Sequence, residues 1–176
     1  MPVIDRERST LLVIDFQARL MPAIADGPAA IANARRLLDA AALLGVPVLF
    51  TEQNPAGLGL TVPELGPPGA TVHKMTFDAS RAPGFLERLP MGGAIVVAGC
   101  EAHVCVLQTV LGLLAHGRPV FVVGDAVGAR RTESREAALR RMERHGAEIV
   151  TAEMVMFEWL STCEHPRFRE AVALVR

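Results

Sequence analysis

Three residues combine side-chain types and positions that could together support covalent chemistry: an acid, Asp15, a cation, Lys74, and a thiol, Cys105. Asp15 ends the apolar run TLLVID (10–15), where an ionised group is costly unless it is paired. Lys74 is the only lysine, since 17 of the 18 basic residues are arginine. One surviving lysine suggests a place where the planar fork of arginine would not serve but a compact ammonium with a movable pKa would. Cys105 lies just inside the expected amino end of an apolar helix. Unpaired backbone N–H groups and the helix dipole there favour a thiolate, the nucleophilic form. Each residue also has a plain structural reading: a turn or cap for Asp15, a solvated loop for Lys74, a buried inert thiol for Cys105. Together they supply a nucleophile, a cation to stabilise its developing charge, and a carboxylate to accept and return a proton. A cysteine with His73 or His103 as its base is the alternative, with His103 only two residues from Cys105.

Such groups need a scaffold that brings them together. Short apolar runs rich in β-branched residues alternate with longer stretches of helical period, which predicts a doubly wound three-layer α/β sandwich around a mainly parallel six-stranded sheet. The strands are expected at Thr10 to Asp15, Val46 to Thr51, near Thr71 to His73, Ala94 to Gly99, Pro119 to Asp125 and Ala147 to Thr151. Helices are expected over Pro28 to Leu44, Val104 to His116, Thr132 to His145, Glu153 to Leu160 and Pro166 to Val175. The helix from Val104 is apolar on nearly every side and is expected to be buried all round. In such sheets ligands bind beyond the carboxyl ends of the strands, where strand order reverses. Asp15, Thr51 with Glu52 and Gln53, Lys74, the segment Gly99 to Cys105, and Asp125 stand at those ends. There Glu52 is either an acid that reads a ligand or a helix-cap partner.

Composition narrows the function classes. A chain of 176 residues with 51% hydrophobic and 21% charged residues has ample material for one core and reads as a single unit over 1–176. Its net charge of -1 offers no basic footprint for nucleic acid. No apolar run reaches the roughly 18 residues that span a bilayer, and charges near the amino end stand where a signal peptide needs its apolar stretch, so a cytoplasmic protein without a membrane partner is expected. Three cysteines, Cys100, Cys105 and Cys163, are too few for a disulfide scaffold. The sequence contains no HExxH, no GxSxG and no glycine-rich phosphate loop, so neither a metal nor a cofactor is expected.

The order of Asp after the first strand, Lys after the third and Cys opening the helix after the fourth resembles the isochorismatase-like cysteine hydrolases. The resemblance runs over nearly the whole chain. It rests on LLVIDFQ (11–17), FTEQNPAGLGLTVPEL (50–65), HKMTFDA (73–79), VVAGCEAHVCVLQT (96–109) and GDAVGAR (124–130). The TEQ-P-GLG-TVPEL stretch and the HPRFRE ending are most similar to the isochorismatase domain-containing branch of that family. The resemblance implies a catalytic triad of Asp15, Lys74 and Cys105. It also implies a non-proline cis peptide between Cys100 and Glu101, which would turn the N–H of Glu101 toward the same point as that of Cys105 to form an oxyanion hole.

Nicotinamidases of this family bind a metal through an aspartate and histidines after the second strand. Here that region reads TEQNPAGLG, without histidine, which argues against that activity. The vinyl-ether chemistry of isochorismatase does not need the cysteine as nucleophile, so Cys105 points instead to a small amide, carbamoyl or ester substrate and an acyl-enzyme. Phe16, Gln17, Gln53, Phe77 and His103 flank the triad in sequence and are expected as pocket walls. Two other readings stand: a binding or scaffold module that keeps the fold without turnover, and a redox-sensing thiol. Apolar stretches such as MVMFEWL (154–160) leave surface for a homo-oligomer.

Overall fold

The computed structural model describes residues 3–175; residues 1, 2 and 176 of the expected 1–176 unit lie outside the described residues. Strands β1 (Ser9–Ile14), β2 (Val48–Gln53), β3 (Thr71–Lys74), β4 (Ala94–Cys100), β5 (Val120–Gly128) and β6 (Glu148–Val150) form one sheet in the order β3-β2-β1-β4-β5-β6. Every pairing is parallel. The helices are α1 (Gly27–Leu44), α2 (Pro55–Leu58), α3 (Leu107–Ala115), α4 (Thr132–Arg144), α5 (Ala152–Leu160) and α6 (Phe168–Ala173).

Burial on both faces explains the unbroken apolar run of β1, all six of whose residues are buried. Its side chains alternate between two cores, as strand geometry requires. Leu11 and Val13 pack with α1 and α5 through Ala34, Leu37, Val155 and Trp159, whereas Leu12 and Ile14 pack with α3 and α4 through Val110, Leu113, Ala138 and Met142. Each such leucine or isoleucine taken wholly out of water contributes about 1.5–3 kcal/mol. The helical layers on both sides are therefore held by one ribbon of strand residues. Among the described residues no helix is long and apolar enough to cross a membrane.

The sheet departs from the expected boundaries where local chemistry intervenes. Proline lacks an N–H, and β2 begins only after Pro47, at Val48, then runs on to Gln53. β5 continues past Asp125 to Gly128, after a register shift against β4 between Val97 and Gly99. The expected helix from Val104 opens as a π turn over Ala102–Val106 before α3 begins. Burial all round does not hold for α3. Val110 and Leu113 are sealed in, but Leu111 and Leu114 are only half-buried and Gln108 is exposed.

Strand order reverses between β1 and β4, so the crevice that binds ligands in such sheets opens at their carboxyl ends. The two strands approach closely there because residue 99 is glycine. A Cβ on Gly99 would lie 2.6 Å from both the Cβ and the carbonyl oxygen of Ile14. Gly99→Ala is expected to force β1 and β4 apart at the residue before Asp15. The expected loss is roughly 1–3 kcal/mol of stability, the usual scale of core overpacking, read as a lower urea midpoint. An unchanged midpoint would show that β1 yields without cost.

Candidate active site

The three chemically distinctive residues meet at that crevice. Asp15 follows β1 in a left-handed backbone conformation (φ 52°), which turns the chain off the strand axis. Lys74 is the last residue of β3, two strands away in the sheet, and its long stem spans the intervening β2. Its Nζ donates to Asp15 Oδ2 at 2.7 Å and to Gln53 Oε1 at 2.8 Å. Thr51, near the end of β2, donates its hydroxyl to the other Asp15 oxygen at 2.7 Å. Neither side chain of the Lys74–Asp15 ion pair has any solvent exposure. Cys105 sits in the π turn after β4 with its Sγ 3.9 Å from Gln53 Oε1.

The state of the thiol differs from expectation. The helix-terminus argument predicted a thiolate, but burial, followed by the Asp15 carboxylate, pushes the Cys105 thiol from 9.0 up to about 12, against the opposing pull of the Lys74 ammonium. The first turn is a π turn, not the start of a regular α-helix, and the site is nearly closed to water. Desolvation is the largest of the influences on the thiol, and it disfavours the charged form. At neutral pH the side chain is a thiol beside a carboxylate, and ionising it requires a proton acceptor in place.

The expected pocket walls divide. Gln53 belongs to the cluster through Lys74 and the thiol, and its Nε2 donates to the Met75 carbonyl at 2.8 Å. Phe16 does not line the site. It is 1% exposed and packs in the core on the α1 side. Gln17 is fully buried and acts as a splint: its Oε1 accepts from the Gln53 N–H, and its Nε2 donates to the carbonyls of Gln53 and Gly59. Phe77 is half-exposed and lines a surface cleft of about 600 Å³ with Met75, Arg81, Gln108 and Leu111. His103 is partly buried, and its Nδ1 is enclosed without a hydrogen-bond partner.

Glu52 caps no helix and is held by its neighbours. Its Oε1 accepts from the N–H and hydroxyl of Thr61, and its Oε2 faces His73 Nε2 at 3.2 Å, so it ties the loop after β2 to β3. His73 is thereby directed away from Cys105. Asp125 likewise serves structure, accepting the Ala152 N–H at the start of α5. Thr51 was missed as a partner of Asp15. The signal available was that it is the first polar residue after the apolar part of its strand.

The peptide bond between Cys100 and Glu101 is cis. Beyond it, the Glu101 carbonyl accepts from the N–H groups of Val104 and Val106, and its carboxylate accepts from Arg130. Cys100 and Cys105 lie on opposite faces of the sheet, the first in the α1-side core and the second in the α3-side core. Burial also pushes the Cys100 thiol up to about 12. Cys163 is exposed, and all three cysteines are free. Among the described residues no three His, Cys, Asp or Glu side chains gather as they would around a metal ion.

The fold, together with the family match, supports a hydrolase of the cysteine hydrolase superfamily. A family model, the isochorismatase domain, matches residues 9–154, and the chain belongs to that family. It is 38% identical over 174 residues to mouse isochorismatase domain-containing protein 2A, covering 97% of this chain and 84% of the relative. A solved structure from Caenorhabditis elegans, titled as a MAR1 ribonuclease, superposes with a TM-score of 0.91 at 37% identity over 99% of this chain and 92% of the other. The Escherichia coli YcaC product, described as an octameric hydrolase of unknown specificity, has the same fold. Its TM-score is 0.86 at 24% identity, over 99% of this chain and 88% of that one.

Proposed function

We propose that this chain hydrolyses a small amide, carbamoyl or ester compound through an acyl-enzyme on Cys105. The supporting observation is the fully buried Lys74 ammonium, shared between Asp15 and Gln53 beside the Cys105 thiol. A buried ion pair is weak as a device for stability, because desolvation consumes much of the Coulomb attraction. Its retention beside a thiol favours a chemical role.

In the proposed reaction Asp15 takes the Cys105 proton as Sγ attacks the substrate carbonyl. The N–H groups of Glu101 and Cys105 receive the oxyanion. Collapse of the tetrahedral adduct breaks the bond to the leaving amine or alkoxide, which takes its proton from Asp15. Water then gives a proton to the same carboxylate, adds to the thioester and expels the thiolate, which recovers the proton. Lys74 holds the carboxylate in register and offsets the negative charge at each stage. Two carboxylate oxygens fixed by Lys74 and Thr51 keep the base oriented before substrate arrives.

Incubation with p-nitrophenyl acetate followed by peptide mass mapping tests this reading. The expected result is an acetyl group on Cys105 and a burst of p-nitrophenolate approaching one equivalent per chain. Acetylation confined to Cys100 or Cys163, or no burst, would overturn it. RNA belongs among the substrates assayed, because the Caenorhabditis elegans relative is titled a ribonuclease. RNA cleavage that survives Cys105→Ala would also count against the proposal.

A further inference from the structure

Glu101 is held at three points. Its carbonyl accepts from Val104 N at 3.0 Å and Val106 N at 3.2 Å, inside the turn that carries Cys105. Its carboxylate, 8% exposed, accepts the Arg130 backbone N–H at 2.9 Å. The Arg130 side chain completes the grip, with Nε 3.1 Å from one carboxylate oxygen and 3.0 Å from the other. Arg130 lies two residues past β5 on the loop into α4, and its side chain is 61% exposed. The Glu101 N–H belongs to the preceding peptide, whose other end, Cys100, closes β4, and the clamp holds the Cα from which that N–H projects.

We infer that Arg130 is a positioning residue, which through the Glu101 carboxylate aims the Glu101 N–H at the oxygen of a carbonyl under attack by Cys105. The inference rests on the proposed function above, and a comparison of two reactions at the same sulfur separates the two. Acylation by p-nitrophenyl acetate forms the Sγ–C bond, passes the thiol proton to Asp15, develops an oxyanion and releases p-nitrophenolate. Alkylation by iodoacetamide forms an Sγ–C bond by displacing iodide and develops no oxyanion. Losing one oxyanion donor costs about 10²–10³ in rate, and a misaimed donor costs a share of that.

Arg130→Ala is therefore expected to slow acylation of Cys105 at least about tenfold, while iodoacetamide alkylates Cys105 at the wild-type rate. Arg130→Lys keeps the charge and the backbone contact and is expected to recover part of the acylation rate. Equal slowing of both reactions would overturn the inference, because the clamp would then act on the thiol or on the fold. Unchanged acylation in Arg130→Ala would overturn it as well. A wild type that is not acylated at Cys105 removes the proposed function, and this inference with it.

Discussion

Cys105→Ala is expected to lower kcat/KM for ester and amide substrates by about 10⁴-fold or more, the scale seen when a covalent nucleophile is removed from a pre-assembled site. The fold should hardly respond. The substitution removes one buried heavy atom, costing about 1 kcal/mol or less by analogy with a buried methylene. It leaves the Lys74–Asp15 pair and the Lys74–Gln53 bond intact. Activity and stability are thus decoupled at this position, and the urea midpoint serves as the internal control. Turnover retained at the wild-type level would overturn the assignment of Cys105 as the nucleophile. A redox switch built on a Cys100–Cys105 disulfide is disfavoured by geometry, because the two sulfurs face different helical layers across the sheet.

The fold was legible because its strands are covered on both faces, so apolar runs such as LLVI and IVVA stand out from the helical periods between them. The convergence of Asp15, Lys74 and Cys105 was legible for a related reason: each is a polar group close after an apolar strand, and parallel strands carry all such groups to one edge of the sheet. What could not be read was how those groups bind one another. Gln17 and Phe16 adjoin Asp15 in sequence, yet the chain turns at Asp15 and sends both inward, one as a splint for Gln53 and the other into the core. The Thr51 contact depends on register between β1 and β2, and the Glu101–Arg130 clamp joins residues from the ends of different strands. Periodicity contains neither relation. The thiol's ionisation was misjudged because a dipole argument counts residues from a helix end, whereas burial, which here dominates, is a property of the whole assembly.

Asp15→Asn and Lys74→Met should move the Cys105 thiol in opposite directions while both suppress turnover. The carboxylate raises the thiol pKa and the ammonium lowers it. Removing the carboxylate charge should therefore shift the alkaline rise of iodoacetamide alkylation at Cys105 to lower pH, whereas Lys74→Met should shift it to higher pH. Acylation by p-nitrophenyl acetate near neutral pH should fall in both variants. Asp15→Asn loses the proton acceptor despite a more acidic thiol, a combination that a purely electrostatic role for Asp15 would not produce. Stability supplies an independent reading. Lys74→Met leaves a carboxylate buried without its cation and should cost about 3–5 kcal/mol. The double variant Asp15→Asn/Lys74→Met removes both charges from the interior and should be more stable than Lys74→Met alone, giving a non-additive cycle that measures the coupling directly. Additive losses would mean that the two groups do not interact as their 2.7 Å contact requires, and parallel shifts of the alkylation profile would remove the assigned charges from the environment of the thiol.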